Sequence, residues 1–385
     1  MVLLKLLSRN AFRHPLRTLL TIFGITVAIL AFGLLQTVVS AWYAGANASS
    51  STRLISRNAI SLIFSLPIAY QERIRHIEGV SAVSYANWFG GVYVTEKNFF
   101  PNFAIEPKSY LDLYPEFVLP PEEKRAFLLD RKGCVVGKKL AERFGWQVGD
   151  SVPLKGTIYP GTWEFVVRGI YTGVDKATDE SQFFFHWDYL NESLKKSAAR
   201  RANQIGVYVI GLKNPQAAAE VSLAVDTAFR NSLAETLTET EKAFQLSFIS
   251  MTEAIVVAIR IVSFVVIIII MVVVANTMAM TARERIGEYA IFKAMGFQAH
   301  HIAGIIFGES LFITTMGGCL GILLTFPVAK KFGEVMGNFF PVFQVDPLTL
   351  QLDLVFCLIV GIVAGIFPTW RAVHIKIADG LRRVG

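Results

Sequence analysis

Residues 18–52 read TLLTIFGITVAILAFGLLQTVVSAWYAGANASSST, and no charge occurs between Arg17 and Arg53. A bilayer core about 30 Å thick is crossed by about 20 apolar residues in a helix. Three more stretches toward the other end of the chain meet that requirement. From Ala254 to Ala282 the only charge is Arg260, from Ile302 to Ala329 it is Glu309, and from Leu354 to Trp370 there is none. The expected architecture is a membrane protein with four transmembrane α-helices, one plus three. A large mixed α+β extracytoplasmic domain lies between the first and the second. In segments, 1–14 is an amphipathic stretch on the cytoplasmic surface, 15–43 the first span and 44–250 the inserted domain. The second span with an outer stalk is 251–280, followed by a cytoplasmic loop at 281–300. The third span is 301–328, an outer loop 329–349, the fourth span 350–371 and a cytoplasmic tail 372–385.

Composition agrees, with 53% hydrophobic and 17% charged residues, too apolar for an ordinary soluble domain. The net charge of +7 does not point to nucleic acid, because many Lys and Arg residues flank the spans, where they set orientation. Lys5, Arg9, Arg13 and Arg17 precede the first span, and Arg283, Arg285 and Lys293 lie between the second and third. Arg371, Lys376, Arg382 and Arg383 follow the fourth, whereas the loop between spans three and four holds only Lys330 and Lys331. Both ends and the 281–300 loop are therefore placed in the cytoplasm. Ala46-Asn47-Ala48 resembles a signal cleavage site, but the uncharged stretch is longer than a signal core. Lys5, Arg9, Arg13 and Arg17 recur every four residues, with Leu3, Leu6, Leu7 and Phe12 on other faces. That pattern predicts a surface helix that breaks near His14, with the span starting anew at Pro15.

In the inserted domain, alternation predicts strands at Gly91–Thr95, Glu164–Tyr171 and Ile205–Leu212. Helical spacing covers Gly137–Phe144 and Asn214–Ser232. Gly133-Cys-Val-Val-Gly137-Lys-Lys139 fails as a phosphate loop, having three residues between its glycines and Lys139 where Ser or Thr is required. Cys134 reads as a small core residue and His186, within an aromatic run, as a packed or surface side chain. No His, Cys or acid cluster has metal-ligand spacing. Cys319 and Cys357 fall inside spans, so no disulfide is expected within the domain. A helical stretch from about Leu237 is expected to run without a break into the second span, as a rigid lever.

Within the spans, Glu309 is the one deep acid, and such a charge is expected to face protein or water. Its favoured role is structural. Arg260 and Asp353, near outer ends, are expected to reach the headgroups. Gly317-x-x-x-Gly321 and Gly361-x-x-x-Gly365 allow close helix approach, within one bundle or between two copies. The loop Thr281-Ala-Arg-Glu-Arg-Ile-Gly-Glu-Tyr-Ala-Ile-Phe-Lys-Ala-Met-Gly296 combines charged residues with Ile286, Tyr289, Ala290 and Phe292 as apolar contacts, and Gly296 is a helix stop.

This loop resembles the MacB/FtsX-like family of ABC transporter permeases, which includes the lipoprotein-release permeases. Glu284, Arg285, Glu288, Lys293, Ala294 and Gly296 match its Glu-Arg-x-x-Glu and basic-Ala-x-Gly pattern. The Arg9-Asn-x-x-Arg-x-Pro-x-Arg-Thr-Leu-Leu20 approach to the first span is similar to the family's, as is Gly365-Ile-Phe-Pro-Thr-Trp-Arg-Ala372 leaving the fourth. Gly79-Val80, Gly137 to Leu140 with Val148-Gly149-Asp150, and Phe165 to Gly169 resemble its periplasmic domain.

The resemblance implies a permease subunit of the bacterial inner membrane, with its large domain in the periplasm, that is not itself an enzyme. A separate cytoplasmic ABC ATPase would bind the ATP and Mg, since no Gly-x-x-x-x-Gly-Lys-Ser/Thr occurs here. This chain would hold no cofactor. The implied ATPase-coupling residues are Arg283, Glu284, Arg285, Glu288 and Lys293. The implied partners are that ATPase, a second permease copy or paralogue in a dimer, a periplasmic adaptor or carrier protein, and membrane lipid. The expected function is export or extraction of a lipoprotein, lipid or amphipathic substrate. The alternative is a transmembrane signalling subunit that moves no cargo and regulates a periplasmic enzyme or sensor. The size of the inserted domain favours transport.

Overall fold

A computed structural model describes residues 9–336, 340 and 342–374. Leu3, Lys5, Leu6 and Leu7 of the expected surface helix, and Lys376, Arg382 and Arg383 of the tail, lie outside the described residues. The described chain opens its first long helix at α1 (Pro15–Ala48). Then come β1 (Arg53–Asn58), β2 (Leu66–Pro67), α2 (Tyr70–Arg75), β3 (Val80–Trp88), β4 (Gly91–Val92) and β5 (Asn102–Ile105). Next are α3 (Pro107–Leu113), β6 (Phe117–Val118), α4 (Pro121–Leu129), β7 (Gly133–Gly137), α5 (Lys138–Phe144), β8 (Ser151–Gly156) and β9 (Gly161–Gly173). The insertion ends with β10 (Phe183–His186), α6 (Trp187–Ser197), β11 (Gln204–Ile205), β12 (Val207–Leu212), α7 (Ala218–Ala228), β13 (Thr236–Thr240) and α8 (Glu241–Ser250). The remainder is helical: α9 (Glu253–Glu284), α10 (Ile286–Ala294), α11 (Ala299–Met336) and α12 (Pro347–Val373).

Helices α1, α9, α11 and α12 are long and apolar enough to cross a membrane. The chain is thus a multi-pass membrane protein with a mixed α/β domain inserted after its first helix. It divides into two compact units, one from segments 1–41, 252–336 and 343–385, the other from 42–251 and 337–342.

In the inserted domain an 11-stranded mixed sheet runs β13-β1-β12-β3-β5-β10-β7-β9-β8-β4, with β6 beside β9. Both faces of the central strands are covered, so those strands read as continuous apolar runs instead of alternating ones. In β10, Phe183 and Phe185 enter one core and Phe184 enters the core on the other face. In β7, Cys134 and Val136 likewise oppose Val135. The glycine-flanked segment that superficially suggested a phosphate loop is this buried strand. Burial pushes the Cys134 thiol well above its ordinary pKa, as suits a core side chain.

Two expectations fail here. The Gly91–Thr95 strand ends at Val92, because Val94 has φ +59 and a 3-10 turn follows at Glu96–Asn98. The continuous lever from Leu237 does not exist. Leu237 lies in β13, paired opposite Arg57 of β1, where buried Thr236 and Thr238 supply the β-branched face. α8 starts after Thr240, whose side chain caps Ala243 N–H, and it is separated from α9 by a turn at Met251–Thr252.

The helical bundle is close-packed through its small residues. A Cβ on Gly317 would stand 2.7 Å from Ile25 Cβ of α1, and one on Gly321 would stand 2.9 Å from Ile29 Cβ. Gly361 backs onto Thr314 and Leu311 of α11, and Gly365 onto Phe307. Both glycine pairs therefore mark contacts within one copy. Thr26 Oγ1 donates to Gly317 O at 3.1 Å and Ser310 Oγ to Gly361 O at 2.7 Å, bonds that such close approach permits. Arg260 is exposed on α9. Asp353 corrects the expectation that it reaches the headgroups: it is fully buried, with neither carboxylate oxygen hydrogen-bonded. It borders Gly33 of α1, as Thr325 of α11 also does. The reason is helical period, since Asp353 shares the buried stripe of Cys357, Val360 and Ala364.

Candidate functional site

The residues implied for coupling gather around α10. Arg283 and Glu284 form the last turn of α9, and Arg285, with φ −100 and ψ 15, breaks the helix before α10 begins. Arg285 is buried, and its guanidinium bonds two carboxylates. Nε donates to Glu288 Oε2 at 3.0 Å, Nη1 donates to Glu309 Oε2 at 2.9 Å, and the group sits 5.5 Å from the Tyr289 ring centre. Glu309 is thus no isolated acid. It lies about 15 Å along α11 from Ala299, at 1.5 Å per residue, and serves as counter-ion to an arginine entering from the α9–α10 junction.

The acids of this segment face the start of the chain. Arg17 of α1 grips both oxygens of Glu284, each at 2.8 Å, a bidentate geometry that fixes direction as well as distance. His14 Nε2 stands 3.6 Å from Glu284, and Arg13 donates to Glu288. Burial raises the Glu288 pKa, but its hydrogen bonds from Arg13 and Arg285 outweigh that and hold it below the ordinary value. Lys293 Nζ donates to the carbonyl of Val373 at the end of α12, where a cation complements the helix dipole. Segment 284–293, the end of α9 together with α10, is therefore tied to the other three long helices by side-chain bonds: to α1 through Glu284 and Arg17, to α11 through Arg285 and Glu309, and to α12 through Lys293 and Val373 O.

Of the apolar residues expected to meet a partner, Tyr289 and Ala290 are buried in the bundle, and Ile286 and Phe292 are half-buried. The exposed apolar surface is instead Ile291, Met295 and Phe297, with Arg283 also exposed. Gly296 ends this helix with φ +94 and open space around it. The i, i+4 spacing of Ile291 and Met295 was present in the sequence. Which face of α10 turned inward was not.

A second ion-pair centre, in the inserted domain, had no sequence signal. Arg53 of β1 is 5% exposed. Its Nε donates to Glu241 Oε2 at 2.8 Å, Nη1 to Leu113 O at 3.0 Å, and Nη2 to Glu116 Oε1 at 2.5 Å. Its guanidinium lies 4.1 Å from the Tyr114 ring centre. Burial works against its charge, and the two carboxylates more than offset that, so its pKa lies above the ordinary value. His186, read as a packed side chain, is buried with Nε2 2.7 Å from Phe127 O. Among the described residues no group of three His, Cys, Asp or Glu is placed to hold a metal ion.

Comparison with known proteins places both regions. A family model described as MacB-like periplasmic core domain matches residues 18–228, and one described as FtsX-like permease C-terminal matches residues 260–377. An uncharacterized ABC transporter permease of Methanocaldococcus jannaschii is 25% identical over 401 residues, covering 97% of this chain and 96% of that protein. The macrolide export ATP-binding/permease protein MacB of Bradyrhizobium diazoefficiens is 32% identical over 120 residues, which is 31% of this chain and 17% of that protein. The extracellular domain of the noncanonic ABC-type transporter YknZ from Gram-positive bacteria aligns with 49% of this chain and 100% of its own, at 13% identity and a TM-score of 0.36.

Proposed function

Because the chain belongs to the MacB/FtsX-like family of ABC transporter permeases, we propose that it couples ATP hydrolysis by a separate ATPase to motion of its inserted domain. The observation that carries this reading is the four-way tethering of segment 284–293, the α9–α10 junction with α10. A partner pressing on a free loop displaces only that loop. A partner pressing on α10 and the turn before it displaces α1, α9, α11 and α12 together, because α9 runs into this segment and the other three are bonded to Glu284, Arg285 or Lys293 within it. In this reading Ile291, Met295 and Phe297 form the apolar contact with a cytoplasmic ABC ATPase, and Arg283 supplies charge at its rim. Buried Arg285, together with Glu284, Glu288 and Lys293 through their bonds to Arg17, Arg13 and Val373 O, passes the displacement on. ATP and Mg are held by the partner.

The excess of Lys and Arg around α10 and the chain ends supports a cytoplasmic position for this face, with the inserted domain outside the cytoplasmic membrane. The cargo class is amphipathic: a lipoprotein, a lipid or a smaller compound with an apolar body. A second copy or a paralogue completes a dimer, with an adaptor or carrier outside. The turn at Met251–Thr252 replaces the continuous lever as the point where motion passes from α9 to the domain.

The test is capture of the ATPase from native membranes with tagged full-length chain. Met295→Asp and Ile291→Asp are each expected to lower ATPase recovery at least tenfold, while Val118→Asp, an exposed change in the inserted domain, leaves it unchanged. Equal recovery with all three variants would refute the docking surface. Cysteines placed at 150 and 294 are expected to label from opposite sides of the membrane.

A further inference from the structure

The α3 side of the domain sheet opens into a cavity of about 440 Å³ lined entirely by residues of the inserted domain. That volume lies in the range that holds a small molecule. Its apolar wall includes Phe103, Tyr110, Phe117 and Phe244. Its charged lining is lopsided. Among the described residues that line it, Arg53 is the only base, against Glu116, Glu241, Asp175 and Asp179, so four acids less one arginine leave −3. Four of the five N–H donors of Arg53 are engaged by two carboxylates and a carbonyl, and its face lies on the Tyr114 ring, so its charge is already answered by Glu116 and Glu241. Asp175 accepts from Ala177 N–H, Thr178 N–H and the Thr178 hydroxyl, and Asp179 accepts from Ser181 and Gln182. These are neutral donors, whose bonds add no positive charge. Aromatic faces also attract cations.

We propose that this cavity binds an amphipathic cation, one ammonium-type charge carried on an apolar body of small-molecule size. The apolar part lies against the phenylalanine and tyrosine wall, and the charge lies toward Asp175, Asp179 and Glu116. Arg53 within the same wall shows the arrangement in miniature, as a buried cation held by two carboxylates over a ring. The inference deepens the amphipathic-cargo reading and rests on it for the compound's being cargo.

The test uses the full chain in phosphatidylcholine nanodiscs with two probes of nearly the same shape and opposite charge, tetraphenylphosphonium and tetraphenylborate. Equilibrium dialysis, corrected with empty nanodiscs, is expected to show saturable binding of the phosphonium and at least tenfold weaker binding of the borate. Asp175→Asn with Asp179→Asn keeps the oxygen acceptors and is expected to weaken phosphonium binding tenfold or more. Val207→Trp, which fills the cavity from β12, is expected to abolish it, with thermal unfolding of each variant checked for a retained transition. No saturable excess over empty discs, equal binding of both probes, or phosphonium binding untouched by the aspartate pair would overturn the proposal. The measurement needs no ATPase. Lost phosphonium binding with intact ATPase capture rejects the cavity alone, and lost capture with intact binding rejects the coupling reading alone.

Discussion

Arg53 in the inserted domain and Arg285 in the helical bundle solve the same problem in different surroundings. Each is almost fully buried, each bonds two glutamates, and each lies against a tyrosine ring. Arg53 follows the end of α1, and its partner Glu241 opens α8, so the pair clips the domain where the chain enters and leaves it. Arg285 sits where α9 gives way to α10, and its partner Glu309 lies on α11. In both places a charge is buried at a junction where chain direction changes. A buried ion pair adds little net stability compared with apolar packing, but removing one partner leaves an uncompensated charge. What such a pair contributes is a unique geometry at a junction. The difference lies in reach: the Arg285 centre extends through Glu288 to Arg13, with the Glu284–Arg17 pair one residue away in the chain, while the Arg53 centre borders an open cavity.

The comparison breaks most visibly at Arg53. Arg53→Met leaves Glu241 buried without its counter-ion and is expected to destabilise the chain by about 3–5 kcal/mol. Unfolding of the full chain reads this, and Arg53→Met with Glu241→Gln should recover more than half. Arg285→Met is expected to fall toward the lower part of that about 3–5 kcal/mol range, because Arg285 makes fewer bonds. Adding Glu309→Gln should restore most of it, and an absence of rescue would show that Glu309 is not the counter-ion. Gly317→Ala forces a Cβ into Ile25 and is expected to cost about 1–3 kcal/mol. Gly304→Ala, with nothing near its Cβ position, should be neutral or gain up to about 1 kcal/mol. Similar values for the two glycines would dissolve the packing argument for the bundle.

The smallest expected effect is a slope with pH in the domain. Burial lowers the His186 pKa in the folded state, so the unfolded chain takes up the proton first. Stability is therefore full above about pH 6.5, the unfolded value, and is lost as pH falls from there through the folded pKa. His186→Gln should flatten that part of the stability–pH curve, and an unchanged slope would assign it to other groups.

Much of the membrane part was legible because the bilayer imposes a long, one-dimensional requirement on sequence. Apolar stretches of spanning length with at most one charge each, and the place of the insertion between the first and second, can be read without knowing any contact. The glycine pairs were legible as close-approach points, although only the structure assigned them to α1–α11 and α11–α12. The face of α10 was half legible: its period separates Ile291 and Met295 from Tyr289 and Ala290 but does not say which pair turns inward. The strand at Leu237 was misread because Thr-Leu-Thr-Glu-Thr was absorbed into the apolar helix that follows. Its identity as a strand depends on pairing with β1, far away in the chain.

The sequence by itself determined four spans, the site of the insertion, and a charged turn between the second and third spans. Those properties follow from transfer of segments between water and hydrocarbon, which each segment undergoes alone. Only the tertiary structure decided that Asp353 is buried, that Glu309 answers Arg285, and that Arg53 meets Glu241 across 188 residues of chain. A charge's partner is set by distance in space, and that distance exists only once the helices and the sheet have packed.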